Sequence, residues 1–126
     1  MSGRVLVVDD DASVLRTLVT SMTRCGHSTL AANTLVDAVA LVASESVDVL
    51  LCDLHLGSES GLDVVRACRL RNGRFVFIVM LTGEDDDDTR ELAAAAGADL
   101  VLAKPVSPAT LRHHIGGAIA QLRTAA

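Results

Sequence analysis

The sequence is poor in aromatic residues: Phe75 and Phe77 are the only two, and neither tryptophan nor tyrosine occurs. Proteins that bind single-stranded nucleic acid stack bases on aromatic side chains, so this composition argues against such a function. The formal net charge of −5 also argues against direct contact with a phosphate backbone. Half of the residues are hydrophobic, so the core must be built from valine, leucine, isoleucine and alanine.

Cysteine and long apolar segments are scarce as well. Cys25, Cys52 and Cys68 are odd in number and scattered, so we predict reduced, buried or half-buried thiols rather than a disulfide framework. No apolar segment approaches the roughly 18 residues of a membrane span. The first four residues lack the order of a signal peptide. We therefore expect one soluble cytoplasmic domain over residues 1–126, with no membrane partner.

Four apolar runs of strand length end on polar residues. Such runs are typical of a parallel sheet covered by helices on both faces. Val47–Cys52 leads into Asp53, Arg4–Val8 into Asp9, Asp10 and Asp11, Phe75–Leu81 into Thr82, and Leu100–Ala103 into Lys104 and Pro105. Because open α/β sheets bind ligands at the carboxyl ends of their strands, we expect these polar groups to share one edge.

Apolar residues at helical spacing separate these runs. They predict five helices, whose apolar stripes begin at Val14, Leu35, Leu62, Leu92 and Leu111. Residues 27–32 are predicted as a further strand and 57–61 as a loop. Five strands that alternate with five helices predict a doubly wound α/β sandwich. His27, His113 and His114 are predicted to face solvent.

Polar and glycine residues mark the ends of the predicted helices. Asp11 or Ser13 is expected to cap the first helix, and Asn33 or Thr34 the second. Gly26, Asn72-Gly73 and Gly97 are expected to end the first, third and fourth helices. The acidic run 84–88 suits the first turn of the fourth helix, where carboxylates meet unpaired N–H groups.

Asp9, Asp10 and Asp53 are the first candidates for chemistry. Carboxylates that converge from separate strand ends repel one another and require compensation. Hard divalent cations, Mg²⁺ in particular, prefer oxygen ligands and use a few carboxylates together with water and phosphate oxygens. The three aspartates therefore predict a Mg²⁺ site.

Lys104 and Thr82 complete the predicted edge. Lys104 is the only lysine in the chain, and its ammonium can pair with Asp53 and bind an anion. The Thr82 hydroxyl can donate to an oxyanion, and Gly83 beside it leaves space for an incoming group.

The spacing of Asp9-Asp10, Asp53, Thr82 and Lys104-Pro105 resembles the receiver domain of bacterial two-component response regulators. The resemblance covers Arg4 to about Leu122. It implies a flavodoxin-like fold, with five parallel strands in the order 2-1-3-4-5 and five helices. It also implies a phosphorylation-activated switch that controls a downstream protein or an output domain outside this chain.

The same resemblance implies roles for individual residues. Asp53 is the expected phosphoacceptor, served by a sensor histidine kinase or a phosphotransfer protein. Asp9, Asp10, Asp53 and the main-chain carbonyl of His55 are the expected Mg²⁺ ligands. Thr82 and Lys104 are expected to contact the phosphoryl oxygens, and Lys104-Pro105 to be a cis bond. A homodimer is expected through the fourth helix, fifth strand and fifth helix.

Three positions depart from the family pattern. Val101 stands where an aromatic residue is frequent, so the aromatic step of the family's switch cannot occur in its usual form. Gly57 stands where proline is usual, which predicts a more flexible loop. His55 and Glu84 occupy positions that in the family tune how fast the phosphoryl group is lost.

Two alternatives use the same fold elements. A phosphatase similar to the haloacid dehalogenase superfamily would use Asp9-Asp10-Asp11 as its Asp-x-Asp motif, but Asp53 would then have no role. A flavin-binding electron carrier would need a hydroxyl- and glycine-rich loop after the first strand, where this chain has three acids. Except for transfer to and from its own aspartate, we therefore expect no enzymatic activity.

Overall fold

The computed structural model describes residues 3–70, 75–84 and 86–124. The elements follow one another as β1 (Arg4–Val8), α1 (Ala12–Arg24), β2 (Ser28–Ala32), α2 (Leu35–Ser44), β3 (Val49–Asp53), β4 (His55–Leu56), β5 (Glu59–Ser60), α3 (Leu62–Leu70), β6 (Phe77–Thr82), α4 (Asp87–Ala96), β7 (Leu100–Ala103) and α5 (Pro108–Thr124).

Five of the strands form one parallel sheet in the order β2-β1-β3-β6-β7. This is the predicted 2-1-3-4-5 order of a flavodoxin-like fold, because β6 and β7 are the fourth and fifth long strands. The remaining two strands, β4 and β5, form a separate antiparallel hairpin. The predicted loop at residues 57–61 contains part of this hairpin, which was not predicted because a two-residue strand is too short to show alternation.

The core has two layers, one on each face of the sheet. Alternate residues of the central strands point to opposite faces, as in any strand. Val5 and Val7 pack with residues of α1 and α5, including Leu18 and Ile115. On the other face, Leu6 packs with residues of α2, α3 and α4. Both faces of the sheet are therefore buried, as the apolar runs predicted.

Side chains cap three helices, and the sequence predicted the caps of the first two. The Asp11 carboxylate accepts hydrogen bonds from the N–H groups of Ser13 and Val14 at 2.9 and 3.2 Å. Thr34 caps α2, and Asp86 caps α4. The N–H of Thr89, 2.7 Å from the Asp86 carboxylate, lowers the pKa of that acid. Gly97, at φ +118°, ends α4.

Some boundaries differ from the prediction. β3 begins at Val49 rather than Val47, and β6 begins at Phe77 rather than Phe75. Asp48 lies just before β3, and its side chain accepts a hydrogen bond from the Arg4 main-chain N–H at 2.8 Å. This polar contact interrupts the apolar run that predicted a strand from Val47. The predicted helix end at Asn72-Gly73 lies outside the described residues, as does Asp85.

The prediction for His27 was wrong. Its side chain is 7% exposed, and its Nδ1 atom has no hydrogen-bond partner among the described residues. The turn between α1 and β2 is tight because Gly26 adopts φ +89°, and it directs the following residue into the protein. Burial lowers the pKa of the His27 imidazole. His113 is exposed and His114 is half-buried.

The three cysteines are free thiols: Cys52 and Cys68 are buried and Cys25 is half-buried, as predicted. In the described ranges, none of the helices has both the length and the apolar character that crossing a bilayer requires.

Candidate functional site

The parallel register brings four strand ends to one edge of the sheet. Val8 pairs with Cys52 across β1 and β3, so the following residues, Asp9 and Asp53, emerge side by side. On the next strand, Thr82 ends β6 and pairs with Ala103, the residue before Lys104. Asp9, Asp53, Thr82 and Lys104 therefore gather at this edge, as the sequence predicted.

The Lys104 ammonium bridges two of the acids. Its Nζ lies 2.9 Å from Oδ2 of Asp9 and 3.0 Å from Oδ2 of Asp53. The Asp9 side chain is fully buried and Asp53 nearly so. Burial alone would lower the pKa of Lys104, but its hydrogen bonds to the two carboxylates outweigh that effect and raise the pKa. Lys104 is therefore charged at neutral pH.

Asp9, Asp10 and Asp53 form a compact group of oxygen donors. One ligand atom from each of the three lies within 4.8 Å of the others. Three carboxylates and one ammonium leave two negative charges at the edge, which one divalent cation would balance. The donor set is all oxygen, as hard cations prefer. The chemistry of these residues therefore fits Mg²⁺.

Main-chain N–H groups hold each carboxylate in place. Oδ1 of Asp9 accepts from the N–H of Asp11 at 2.9 Å, and Oδ1 of Asp53 from the N–H of His55 at 3.3 Å. Asp10, the exposed member of the group, accepts from the N–H of Gly57 at 2.9 Å.

The His55 ring contacts Glu84 and is not among the three grouped donors. Its Nε2 lies 3.4 Å from Oε1 of Glu84, and both side chains are more than half exposed. The ring therefore spans the gap between the residues that follow β3 and β6. The His55 main-chain N–H donates to Asp53, and the ligand role that the resemblance implies for its carbonyl stays a prediction.

Thr82 lies at the edge, but its hydroxyl is engaged elsewhere. The Oγ1 atom accepts from the Glu84 N–H at 2.9 Å and lies 3.2 Å from the Glu84 carbonyl oxygen. The Thr82 carbonyl accepts from the Lys104 N–H at 2.8 Å. The side chain is buried, and these two contacts with Glu84 are the hydrogen bonds of its hydroxyl among the described residues.

The sequence-family model described as the response regulator receiver domain matches residues 5–116 of this chain. That range contains every candidate site residue. The chain belongs to this family.

Two solved receiver structures share this fold. A CheY-like response regulator receiver domain protein from Methanospirillum hungatei JF-1 is 26% identical, has a TM-score of 0.90, and covers 100% of both chains. A response regulator from Burkholderia pseudomallei, solved with a phosphorylated aspartic acid, a calcium ion and citrate, is 32% identical with a TM-score of 0.79. That alignment covers 86% of this chain and 64% of the other.

Several curated relatives are longer proteins. The alginate biosynthesis transcriptional regulatory protein AlgB of Pseudomonas putida is 36% identical over 110 residues. The match covers 87% of this receiver chain and 24% of AlgB. The chain thus spans about a quarter of the length of that relative.

Three further positions that the sequence singled out can be placed in this receiver domain. The Lys104–Pro105 peptide bond is cis, as predicted. Val101 is buried in the core rather than presented at the surface. The Asp11 side chain caps α1, whereas its main-chain N–H donates to Oδ1 of Asp9 at the site.

Two glycines shape the receiver site through main-chain contacts that the sequence did not predict. A Cβ atom on Gly61 would collide with the carbonyl oxygen of Asp53 and lie 3.1 Å from Sγ of Cys52. The Gly57 N–H holds Asp10, as described above. Glycine-rich composition marked residues 57–61 as a loop, but composition alone cannot show which main-chain atom meets the site.

Proposed function

We propose that this chain is a phosphorylation-activated signalling switch whose phosphoacceptor is Asp53. The phosphoryl group comes from a phosphohistidine on a sensor histidine kinase or a phosphotransfer protein. The observation that supports this most directly is the Lys104 ammonium, which lies within 3.0 Å of both Asp9 and Asp53. A phosphoryl group on Asp53 would therefore lie next to the Lys104 ammonium.

In the proposed transfer, a carboxylate oxygen of Asp53 attacks phosphorus. The new O–P bond forms as the N–P bond of the phosphohistidine breaks, and the imidazole nitrogen leaves with the electron pair. The product is an aspartyl phosphate, a mixed anhydride. The protein contributes mainly by positioning Asp53 and by offsetting charge on the transferred group.

Asp9, Asp10, Asp53 and the main-chain carbonyl of His55 are the groups that would hold Mg²⁺. When bound, the cation supplies positive charge next to the phosphoryl oxygens. Lys104 supplies a second positive charge and moves from carboxylate contacts to phosphoryl oxygens.

Thr82 is the proposed link to the rest of the domain. Phosphorylation adds charge and acceptor oxygens at Asp53, to which the hydroxyl can donate once it leaves Glu84. That rotamer change alters the packing between Thr82 and the residues of α4 and β7. With Val101 small and buried, this step depends on Thr82 and not on an aromatic side chain.

The surface proposed to contact downstream proteins is distinct from the phosphorylation site. We propose that the α4–β7–α5 face contacts a downstream protein, an output domain or a second copy of the chain in the cytoplasm. AlgB, named a transcriptional regulatory protein, is four times longer than its match to this chain. The length of AlgB supports including an output domain among these contacts.

A labelling experiment tests the proposal. Incubation with acetyl phosphate should add one phosphoryl group per chain, measured by intact mass, and removal of Mg²⁺ with EDTA should prevent it. Asp53→Asn should abolish labelling. Asp63→Asn, which removes an exposed aspartate paired with Arg66, should label normally.

Undiminished labelling of Asp53→Asn would contradict the proposal. Sustained hydrolysis of small phosphate esters that Asp9→Asn removes and Asp53→Asn retains would instead support the phosphatase alternative. A colourless purified protein excludes the flavin carrier.

A further inference from the structure

Asp10 is held differently from the other two acids. Asp9 and Asp53 each have two partners, the Lys104 ammonium and a main-chain N–H nearby in sequence. Asp10 is exposed, and among the described residues its carboxylate has one hydrogen-bond donor, the N–H of Gly57. That donor lies 47 residues away in the chain.

The donor belongs to the short hairpin of β4 and β5. Residues 57 and 58 form its turn, and Gly57 adopts φ +65°, a conformation that glycine and asparagine accept and that proline cannot. Leu56 pairs with Glu59 on either side of the turn. The Gly57 N–H is thereby directed out of the hairpin towards the end of β1.

The hairpin is fixed to the sheet at its base. The N–H of Leu54 donates to the carbonyl of Leu81 at 2.9 Å, and the N–H of Gly61 donates to the carbonyl of Leu54 at 2.7 Å. Gly61 packs directly against the Asp53 carbonyl, where no side chain fits. The Gly57 N–H is therefore carried by a segment that is anchored at the phosphoacceptor strand.

We propose that the main-chain N–H of Gly57 is a positioning group for Asp10, which sets the affinity of the site for its divalent cation. The inference rests on the proposed function, in which Asp10 is a Mg²⁺ ligand. The N–H occupies one oxygen of the carboxylate and limits its rotamers. The other oxygen accepts no hydrogen bond from the described residues and stays available for the cation.

This arrangement lowers the ordering cost of binding. An exposed aspartate without a partner samples several rotamers, and a cation must select one of them. With the hydrogen bond already made, Asp10 is held in one orientation before Mg²⁺ arrives. Loss of a single hydrogen bond of this kind should weaken Mg²⁺ binding by about three- to tenfold.

Two substitutions at position 57 differ in whether they keep the N–H. Gly57→Pro removes the donor and also forces φ away from +65°, whereas Gly57→Asn keeps the donor at a smaller backbone cost. A side chain at this position has open space, since no atom lies within 4 Å of a Cβ built there. Isothermal titration calorimetry with Mg²⁺ should show the weakened affinity in Gly57→Pro and near wild-type affinity in Gly57→Asn.

The same proline substitution made in the Asp10→Ala protein tests whether the loss of Mg²⁺ affinity depends on Asp10. In Asp10→Ala, the proline substitution should cause no further loss of Mg²⁺ affinity, because its target is gone. Amide hydrogen exchange of the metal-free protein gives an independent reading. The Gly57 amide should exchange several-fold faster in Asp10→Ala than in the wild type.

Equal affinities of Gly57→Pro and the wild type would overturn the inference, as would equal losses in the proline and asparagine variants. A proline penalty that persists in Asp10→Ala would assign Gly57 a merely structural role. These outcomes differ from failure of the proposed function, in which the wild type would bind no Mg²⁺ and Asp53 would not be labelled.

Discussion

The Nζ atom of Lys104 lies 3.0 Å from Oδ2 of Asp53, although 51 residues separate the two in the chain. The same nitrogen lies 2.9 Å from Oδ2 of the fully buried Asp9. One ammonium therefore ties the ends of β1, β3 and β7 together. It offsets the repulsion between two carboxylates that the fold places side by side. Lys104 therefore contributes to stability in addition to the anion contact proposed for it.

Lys104→Met should lower the unfolding free energy of the metal-free protein by about 1–3 kcal/mol, because two largely buried carboxylates lose their shared partner. Mg²⁺ should restore part of that loss. Urea unfolding followed by far-UV circular dichroism measures both, since the protein has no tryptophan for fluorescence. Arg66→Met, which breaks an exposed pair, should change stability by less than about 1 kcal/mol. A Lys104→Met protein as stable as the wild type without metal would contradict this prediction.

Gly61→Ala should destabilise the protein by at least about 2 kcal/mol, because its methyl group overlaps the Asp53 carbonyl oxygen and main-chain atoms must shift to accept it. Gly116→Ala is the matched control, since Gly116 lies within α5 and a Cβ there meets no atom within 4 Å. That substitution should stabilise the helix by about 0.5–1 kcal/mol. Thermal unfolding of the two variants compares them directly, and losses of similar size in both would argue against the packing explanation.

The fold and the positions of most site residues could be predicted from the sequence. Long apolar runs that end on Asp9, Asp53 and Lys104 predict both the strands and the position of these residues, because the carboxyl ends of parallel strands lie at one edge of the sheet. The helix caps at Asp11 and Thr34 were also readable, since a short polar side chain precedes an apolar stripe.

What the sequence could not reveal depends on main-chain contacts between distant segments. The Gly57 N–H that meets Asp10 has no side-chain signature, and the two-residue strands of the hairpin are too short to show a period. The burial of His27 depends on the turn at Gly26 and on the packing around it. A single histidine between two elements looks the same in sequence whether it is buried or exposed.

His27 should make stability depend on pH. Burial lowers its pKa in the folded protein below the ordinary value of 6.5, so the unfolded chain binds the proton more readily. The contribution of the neutral ring is complete above pH 6.5 and is lost as the pH falls below that value towards the folded-state pKa. Urea unfolding of the wild type between pH 7.5 and about 5 should show a decline that His27→Leu reduces. Exposed His113 provides the control, and a His113→Gln protein with the same reduction would contradict the assignment to His27.

Arg69 should be a stability residue with no part in cation binding. Its guanidinium donates to the carbonyls of Gly97 and Val76 and pairs with Asp99 at 2.8 Å. These partners precede β6 and β7, at the end of the sheet opposite the acids. Arg69→Met should therefore lower the unfolding free energy by about 2–4 kcal/mol, since it leaves two carbonyls and a carboxylate without that partner. At a temperature where the variant is folded, its Mg²⁺ affinity by calorimetry should equal that of the wild type. Arg69→Lys should recover little stability, because an ammonium cannot reproduce the fork of donors. Weakened Mg²⁺ binding in folded Arg69→Met would show instead that the two ends of the sheet are coupled.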